Sequence, residues 1–305
     1  MGEPRDVVTE LMAAGQRALI AEFEALDGGR FGTSAWERPG GGSGRARLLE
    51  DGRVFERAGV NFSAVHGDRL PEPVARQHGL DPGSGFFATG LSVVLHPRNP
   101  YVPAFHANFR YFETGASTWW FGGGVDLTPC YGFEADAAHF HRTLKKYCDG
   151  FDPAFHAPAK RACDEYFHLP HRGETRGVGG IFFDHLSPEG PDGRERATAF
   201  AEAGIATLAP AYLPIVRRRS ETPYGERERR WQLYRRGRYV EFNLVQDRGT
   251  RFGLQTGGYT EAILMALPPL ARWEFELVPE PGSPEARLAD FLRPRDWATA
   301  IAPEG

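Results

Sequence analysis

The chain has 305 residues, 41% of them hydrophobic and 12% aromatic, enough for a large core, and its formal net charge of −4 argues against a bulk binder of nucleic acid or anionic membrane. No run approaches the roughly 20 apolar residues of a membrane span, and the start Met1-Gly2-Glu3-Pro4-Arg5-Asp6 lacks the basic and apolar stretches of a secretory signal. Cys130, Cys148 and Cys163 form no C-x-x-C pair and are odd in number, so a disulfide framework is not expected and a cytoplasmic setting is.

In chain order, Val7, Val8, Leu11, Met12, Leu19, Ile20 and Phe23 make the apolar stripe of a helix over 7–26, stopped by Gly28-Gly29. Residues 28–48 read as a glycine-rich mobile loop around Pro39-Gly-Gly-Gly-Ser-Gly44; no phosphate-loop lysine follows it. Strands are expected at 91–96, 105–113 and 119–128, the last with Gly122-Gly123-Gly124 inside, where a ligand can approach the backbone. Helices at 133–148 and 158–168, a buried strand at 179–184 and a helix at 193–218 follow. Residues 225–236 read as a helix with Gly237 as its stop. Residues 238–245 and 250–256 read as a hairpin turning at Asp247-Arg248-Gly249, then a short helix at 260–267 and a strand at 272–277. The fold class is α+β, a single domain over 1–305 built on an antiparallel sheet.

Alternation in 105–113 puts Phe105, Ala107, Phe109 and Tyr111 on a core face and His106, Asn108 and Arg110 on the other. If 91–96 pairs with it antiparallel, Ser92 and His96 join that polar face. A solvated face is the bland alternative. Histidines 139, 141, 168 and 171 add imidazoles that suit a divalent metal, an anion pocket or acid–base work, although no standard metal spacing is present. Nine arginines between 217 and 238 suggest a polyanionic ligand, or a charged helix face satisfied within the chain. Asp247 either serves its turn or faces a ligand as a base.

Long ordered stretches carry a resemblance to a known family. They are Ala58-Gly-Val-Asn-Phe-Ser63, residues 92–111, Trp119-Trp-Phe-Gly-Gly-Gly-Val-Asp-Leu-Thr-Pro129, His139-Phe-His-Arg142, His171-Arg172, Tyr224-Gly-Glu-Arg-Glu-Arg229, residues 234–244 and Asp247-Arg-Gly-Thr250. Over nearly its whole length the chain resembles oxygen-dependent coproporphyrinogen III oxidases. The resemblance implies a large flat antiparallel sheet covered by helices on both faces. It also implies a homodimer formed through roughly 240–275, coproporphyrinogen III as substrate and molecular oxygen as co-substrate, with no nucleic-acid partner and no integral membrane association. It maps a divalent metal cation onto His96, His106, His141 and His171, a proton donor onto His106, and substrate contacts onto Ser92, Asn108, Arg110, Gly257 and Gly258. Tyr259 stands where the family often has a basic residue, and Gln246 where an aromatic is common. With that chemistry in view, Asp247 is the expected catalytic base for a pyrrole proton, and Arg110 with some of the 217–238 arginines the expected propionate forks.

Overall fold

The computed structural model describes residues 3–70, 72–115, 117–255 and 257–299. Its elements run α1 (Pro4–Asp27), β1 (Gly32–Glu37), β2 (Gly42–Glu50), β3 (Phe55–Gly67), α2 (Glu72–His78), β4 (Phe86–Pro97), β5 (Ala104–Thr114), β6 (Thr118–Thr128), α3 (Glu134–Asp149), α4 (His156–Tyr166), β7 (His168–Leu169), β8 (Glu174–Thr175), β9 (Gly179–Leu186), α5 (Gly193–Arg219), α6 (Glu226–Glu241), α7 (Arg248–Gln255), α8 (Thr260–Leu264) and α9 (Pro284–Phe291). One π-helical turn, Phe242–Gln246, joins α6 to Asp247.

Seven strands form one antiparallel sheet in the order β1-β2-β3-β4-β5-β6-β9. One face is the core. Phe105, Ala107, Phe109 and Tyr111 are at most 1% exposed there, with Leu91, Val93 and Leu95 beside them. Helix α1 covers β3 and β4, and α5 covers β5 and β6. Gln16 of α1 donates its amide to the carbonyls of Arg45 and Val60, tying the helix to two strands at once. Asp27 at the end of α1 accepts backbone N–H groups from Gly29, Arg53, Val54 and Phe55, which fixes the entry to β3.

Helix α5 carries Pro210 and Pro214. Proline 214 lacks the N–H that would bond the carbonyl of residue 210. His139 of α3 supplies the missing donor, Nε2 to Pro210 O at 3.1 Å, so this histidine serves the backbone. By length and composition α5 is also apolar enough to cross a membrane, a feature not expected from the sequence. Here 56% of its most apolar window is buried, against the sheet, α1 and α3.

Four expectations are corrected. Residues 28–48 are not a mobile loop: β1 and β2 form a hairpin there, turning at residues 38–41. Residues 238–245 are not a strand but continue α6 into the π turn, and 250–255 lie in α7 rather than a return strand; Thr256 lies outside the described residues. Gly237 does not end its helix. A Cβ there would stand 2.7 Å from Arg272 O, so the glycine lets residues 272–273 lie against α6. Those residues bond α6 rather than a strand: Arg272 N–H donates to Leu233 O, and Trp273 Nε1 to Glu241. Glu276, at φ 51°, breaks the expected strand over 272–277.

Candidate active site

The face of the sheet opposite the core builds a trough. Residues paired directly across strands share a face, and three rows follow from the register. One row runs Trp36, Gly44, Ser63, Gly90, Arg110, Gly122; the next Ser34, Ala46, Asn61, Ser92, Asn108, Gly124, Phe182; the third Leu48, Gly59, Val94, His106, Asp126, Gly180. Six glycines lie in these rows, with side chains laid over three of them (Trp36 on Gly44, Met265 on Gly59, Arg110 on Gly122), and Ser92, Asn108, Arg110 and His106 stand on this face half-buried. The sequence placed the last four on one face correctly, and His96 lies on it too, two residues beyond Val94.

The ends are walled. Phe112 packs on Trp120 (4.5 Å) and Trp120 on His185 (4.8 Å) at one end. At the other, Arg176 is clasped among the rings of Phe167, Tyr239 and Phe242 at 4.2–4.7 Å. Along one side Met265 covers Gly59, and Tyr259 bonds Ser34 (3.2 Å) and packs on Trp36. Gly257, at φ 70°, and Gly258 lead into Tyr259, which brings that residue over the floor.

His106 has its Nδ1 2.8 Å from Asp126 Oδ1, and Arg176 bonds both oxygens of that carboxylate. Asp126 and Arg176 are each 2% exposed or less. Burial alone would raise the Asp126 pKa; Arg176 and His106 outweigh it and hold the carboxyl below its usual range. Neither Asp126 nor Arg176 was singled out in the sequence. The available signal was a charged residue inside an otherwise apolar strand, Val125-Asp126-Leu127.

Asp247 serves its turn. Its Oδ2 accepts Thr250 N–H at 2.6 Å and so caps α7. Its Oδ1 accepts the Tyr166 hydroxyl at 2.7 Å, and the Tyr166 ring stacks on Phe182 of the floor at 4.4 Å. Burial and the neighbouring Asp247 push the Tyr166 hydroxyl up to about 12, so it stays a donor at neutral pH.

The arginine cluster resolves the other way. Arg218 and Arg219 hold Asp136, Arg227 holds Glu285, and Arg229 and Arg236 share Glu56. Arg230 holds Glu274, Arg235 Glu174 and Arg238 Glu241. Seven of these eight guanidiniums pin α5 and α6 to other parts of the fold, Arg238 pairs within α6, and all eight are engaged by carboxylates of the chain itself. Arg110, by contrast, stands half-buried on the trough floor.

The four histidines mapped to a metal do not converge. His96 donates Nε2 to Ala266 O, and His141 donates Nε2 to Val178 O. Burial, helped by Arg236 in one case and Lys160 in the other, lowers each to about 3, so both are neutral with an unpartnered Nδ1. His171 pairs with Glu241 at 2.8 Å, beside Arg172. A free Nδ1 is what a ligand needs, but no three His, Cys, Asp or Glu side chains gather as a metal-ligand group among the described residues. The donor set present does not fit a four-histidine centre.

A family model described as coproporphyrinogen III oxidase matches residues 7–297. The chain belongs to that family. It is 53% identical, over 94% of its length and 89% of the relative's, to an oxygen-dependent coproporphyrinogen-III oxidase of Prochlorococcus marinus (strain MIT 9313). It is 51% identical, over 97% and 88%, to one of Synechococcus sp. (strain CC9902). The match spans every strand of the sheet and all nine helices of the described residues except the first three residues of α1. A member of this family acts on a tetrapyrrole, and the glycine floor suits a broad flat ligand.

Proposed function

We propose that the chain oxidatively decarboxylates two propionates of coproporphyrinogen III to vinyl groups, giving protoporphyrinogen IX in porphyrin and haem biosynthesis, with molecular oxygen as oxidant. The observation that carries this is the full-length match to oxidases of that name at just over half identity. The trough supports it physically. A porphyrinogen is a wide apolar ring bearing anionic arms, and a glycine-floored sheet face with a guanidinium and neutral hydrogen-bonding groups complements it.

Converting one propionate to a vinyl group releases carbon dioxide, one proton and two electrons. The electrons pass to oxygen. The chain's own groups then have three tasks. Ser92, Asn108, Arg110, Gly257, Gly258 and Tyr259 hold the ring and its carboxylates; Tyr259 offers a hydroxyl but no charge. Asp247 takes or holds a pyrrole proton at the rim. His106, with Asp126 on Nδ1, presents Nε2 as proton donor. A divalent metal is not given a step, because the histidines assigned to it serve four different partners.

The same reading assigns residues 240–275 to a homodimer contact and the enzyme to the cytoplasm. The test is incubation of purified protein with coproporphyrinogen III with and without oxygen, and with and without chelator, following carbon dioxide and vinyl product. Oxygen-dependent product that survives chelation is expected. No product under any condition removes the oxidase reading. Product lost on chelation and restored by one metal would return the histidines to metal binding.

A further inference from the structure

The guanidinium of Arg110 lies on the floor itself. A methyl group at Gly122 would fall 2.7 Å from its Cζ, Nε and Nη2, so the glycine leaves room for the fork. Nη1 donates to Asn108 Oδ1 at 3.2 Å, and Nη2 stands 3.0 Å from Asp184 Oδ1. Asp184 lies on the edge strand β9, two residues beyond Phe182, whose ring is 5.9 Å from the Arg110 Cζ. Its Oδ1 also accepts the backbone N–H of His185 at 3.0 Å. His185 sits at φ 54°, in the left-handed region that non-glycine residues avoid. Its ring is fixed there by stacking on Trp120 and by a 2.9 Å contact to His78 of α2. The chain therefore accepts an unfavourable backbone conformation next to this carboxylate, and packing from two other elements enforces it.

We propose that Asp184 is a resident carboxylate that competes with a substrate propionate for Arg110, and so is a specificity-determining residue of the trough. This rests on the tetrapyrrole reading above. The Arg110–Asp184 pair engages one nitrogen and one oxygen, with the two side chains 37% and 23% exposed, and such pairs are weak. A propionate can take two N–H groups of the fork at once, so it displaces Asp184 at a modest cost. Ligands without a carboxylate at this position cannot. When the arm at the fork has been lost as carbon dioxide, the vinyl group has no anion to offer. Asp184 then recaptures the guanidinium and clears the subsite for the next carboxylate.

The test is Asp184→Asn, which keeps an acceptor oxygen for His185 N–H and removes the charge. Two quantities are read: KM for coproporphyrinogen III, and Kd for coproporphyrin III, the oxidised ring that cannot turn over. Both are expected to fall about two- to five-fold, the scale of a part-exposed ion pair. Asp184→Glu, which retains a carboxylate, should keep the wild-type values. In an Arg110→Gln background the Asp184→Asn effect should vanish, because the competition acts through the fork. Unchanged or raised KM and Kd in Asp184→Asn overturn the proposal, as does the same fall in both backgrounds, which would be a general charge effect. The Kd arm needs no turnover. A protein that binds coproporphyrin III without releasing carbon dioxide loses the oxidase reading and still decides this one. A wild-type protein that does not bind the ring sinks both.

Discussion

Asp247 holds a structural position and, in the proposed reaction, is also the base. It caps α7 through Oδ2 and meets Tyr166 through Oδ1. Asparagine at an N-cap is nearly as good as aspartate, so Asp247→Asn should leave the thermal midpoint almost unmoved. It should lower kcat about 10²- to 10⁴-fold if the carboxylate is the base. Wild-type turnover in that variant would remove the assignment. His96 and His141 give a pH prediction. Each is held neutral in the fold, with its pKa near 3 against 6.5 in the free side chain. Between those values the unfolded chain binds a proton that the folded chain does not, so stability falls as pH falls, by up to about 1.4 kcal/mol per pH unit for each ring. Urea unfolding at pH 7.5 and pH 5 should show the loss, and His141→Asn should flatten it. An unchanged slope in that variant would mean that the ring titrates alike in both states.

At the scale of elements, much of the sheet was legible because alternation is local. The partition of Phe105 to Tyr111 from His106, Asn108 and Arg110 needed only a period of two, and the register then put Ser92 opposite Asn108. The expected hairpin over 238–256 failed because the run Arg-Tyr-Val-Glu-Phe-Asn-Leu-Val alternates by chance. The helix is held by partners one turn away and by one distant residue: Glu241 and Tyr234 bond Arg238 within α6, and Arg176, far off in sequence, lies on the rings of Tyr239 and Phe242. The arginine cluster looked like a ligand site for the same reason. Its carboxylates at 56, 136, 174, 274 and 285 are far away in sequence, and no local pattern brings them near. Two glycines separate scaffold from site. In an open helix Gly→Ala gains about 1 kcal/mol, but Gly237→Ala in α6 must push back the backbone at Arg272, so a net loss of about 1–3 kcal/mol in denaturant unfolding is expected. The atoms nearest a methyl in Gly122→Ala belong to the flexible end of Arg110. It should leave stability close to wild type and raise KM, whereas an unfolded variant would mean that the floor glycine is needed for the sheet itself.

Across the whole molecule, exposed apolar side chains are concentrated near one stretch of the chain. Leu244, Val245 and Leu254 are 41–54% exposed, Leu270 and Trp273 are 54% and 53%, and Phe275 and Val278 reach 93% and 81%. Single exposed hydrophobics need no explanation, but residues of this size recurring within 35 positions do. Most fall in the 240–275 segment assigned to the homodimer. Phe275 also follows a segment that is held to α6 from inside, by Arg272 N–H on Leu233 and Trp273 on Glu241. The fold thus presents the ring on a fixed support rather than on a free tail, which lowers the ordering cost of an interface. A dimer burying about 800 Å² per chain would draw most of its energy from a few such anchors. Phe275→Lys places a charge at the most exposed of them without touching the trough. Sedimentation velocity should give twice the chain mass for the wild type and a single-chain mass, at low micromolar concentration, for the variant. The thermal midpoint of the monomeric variant should then fall and become independent of protein concentration, because dimerisation stabilises the fold by mass action. A wild-type protein that sediments as a single chain over the same range would remove the dimer and leave the apolar strip to some other partner.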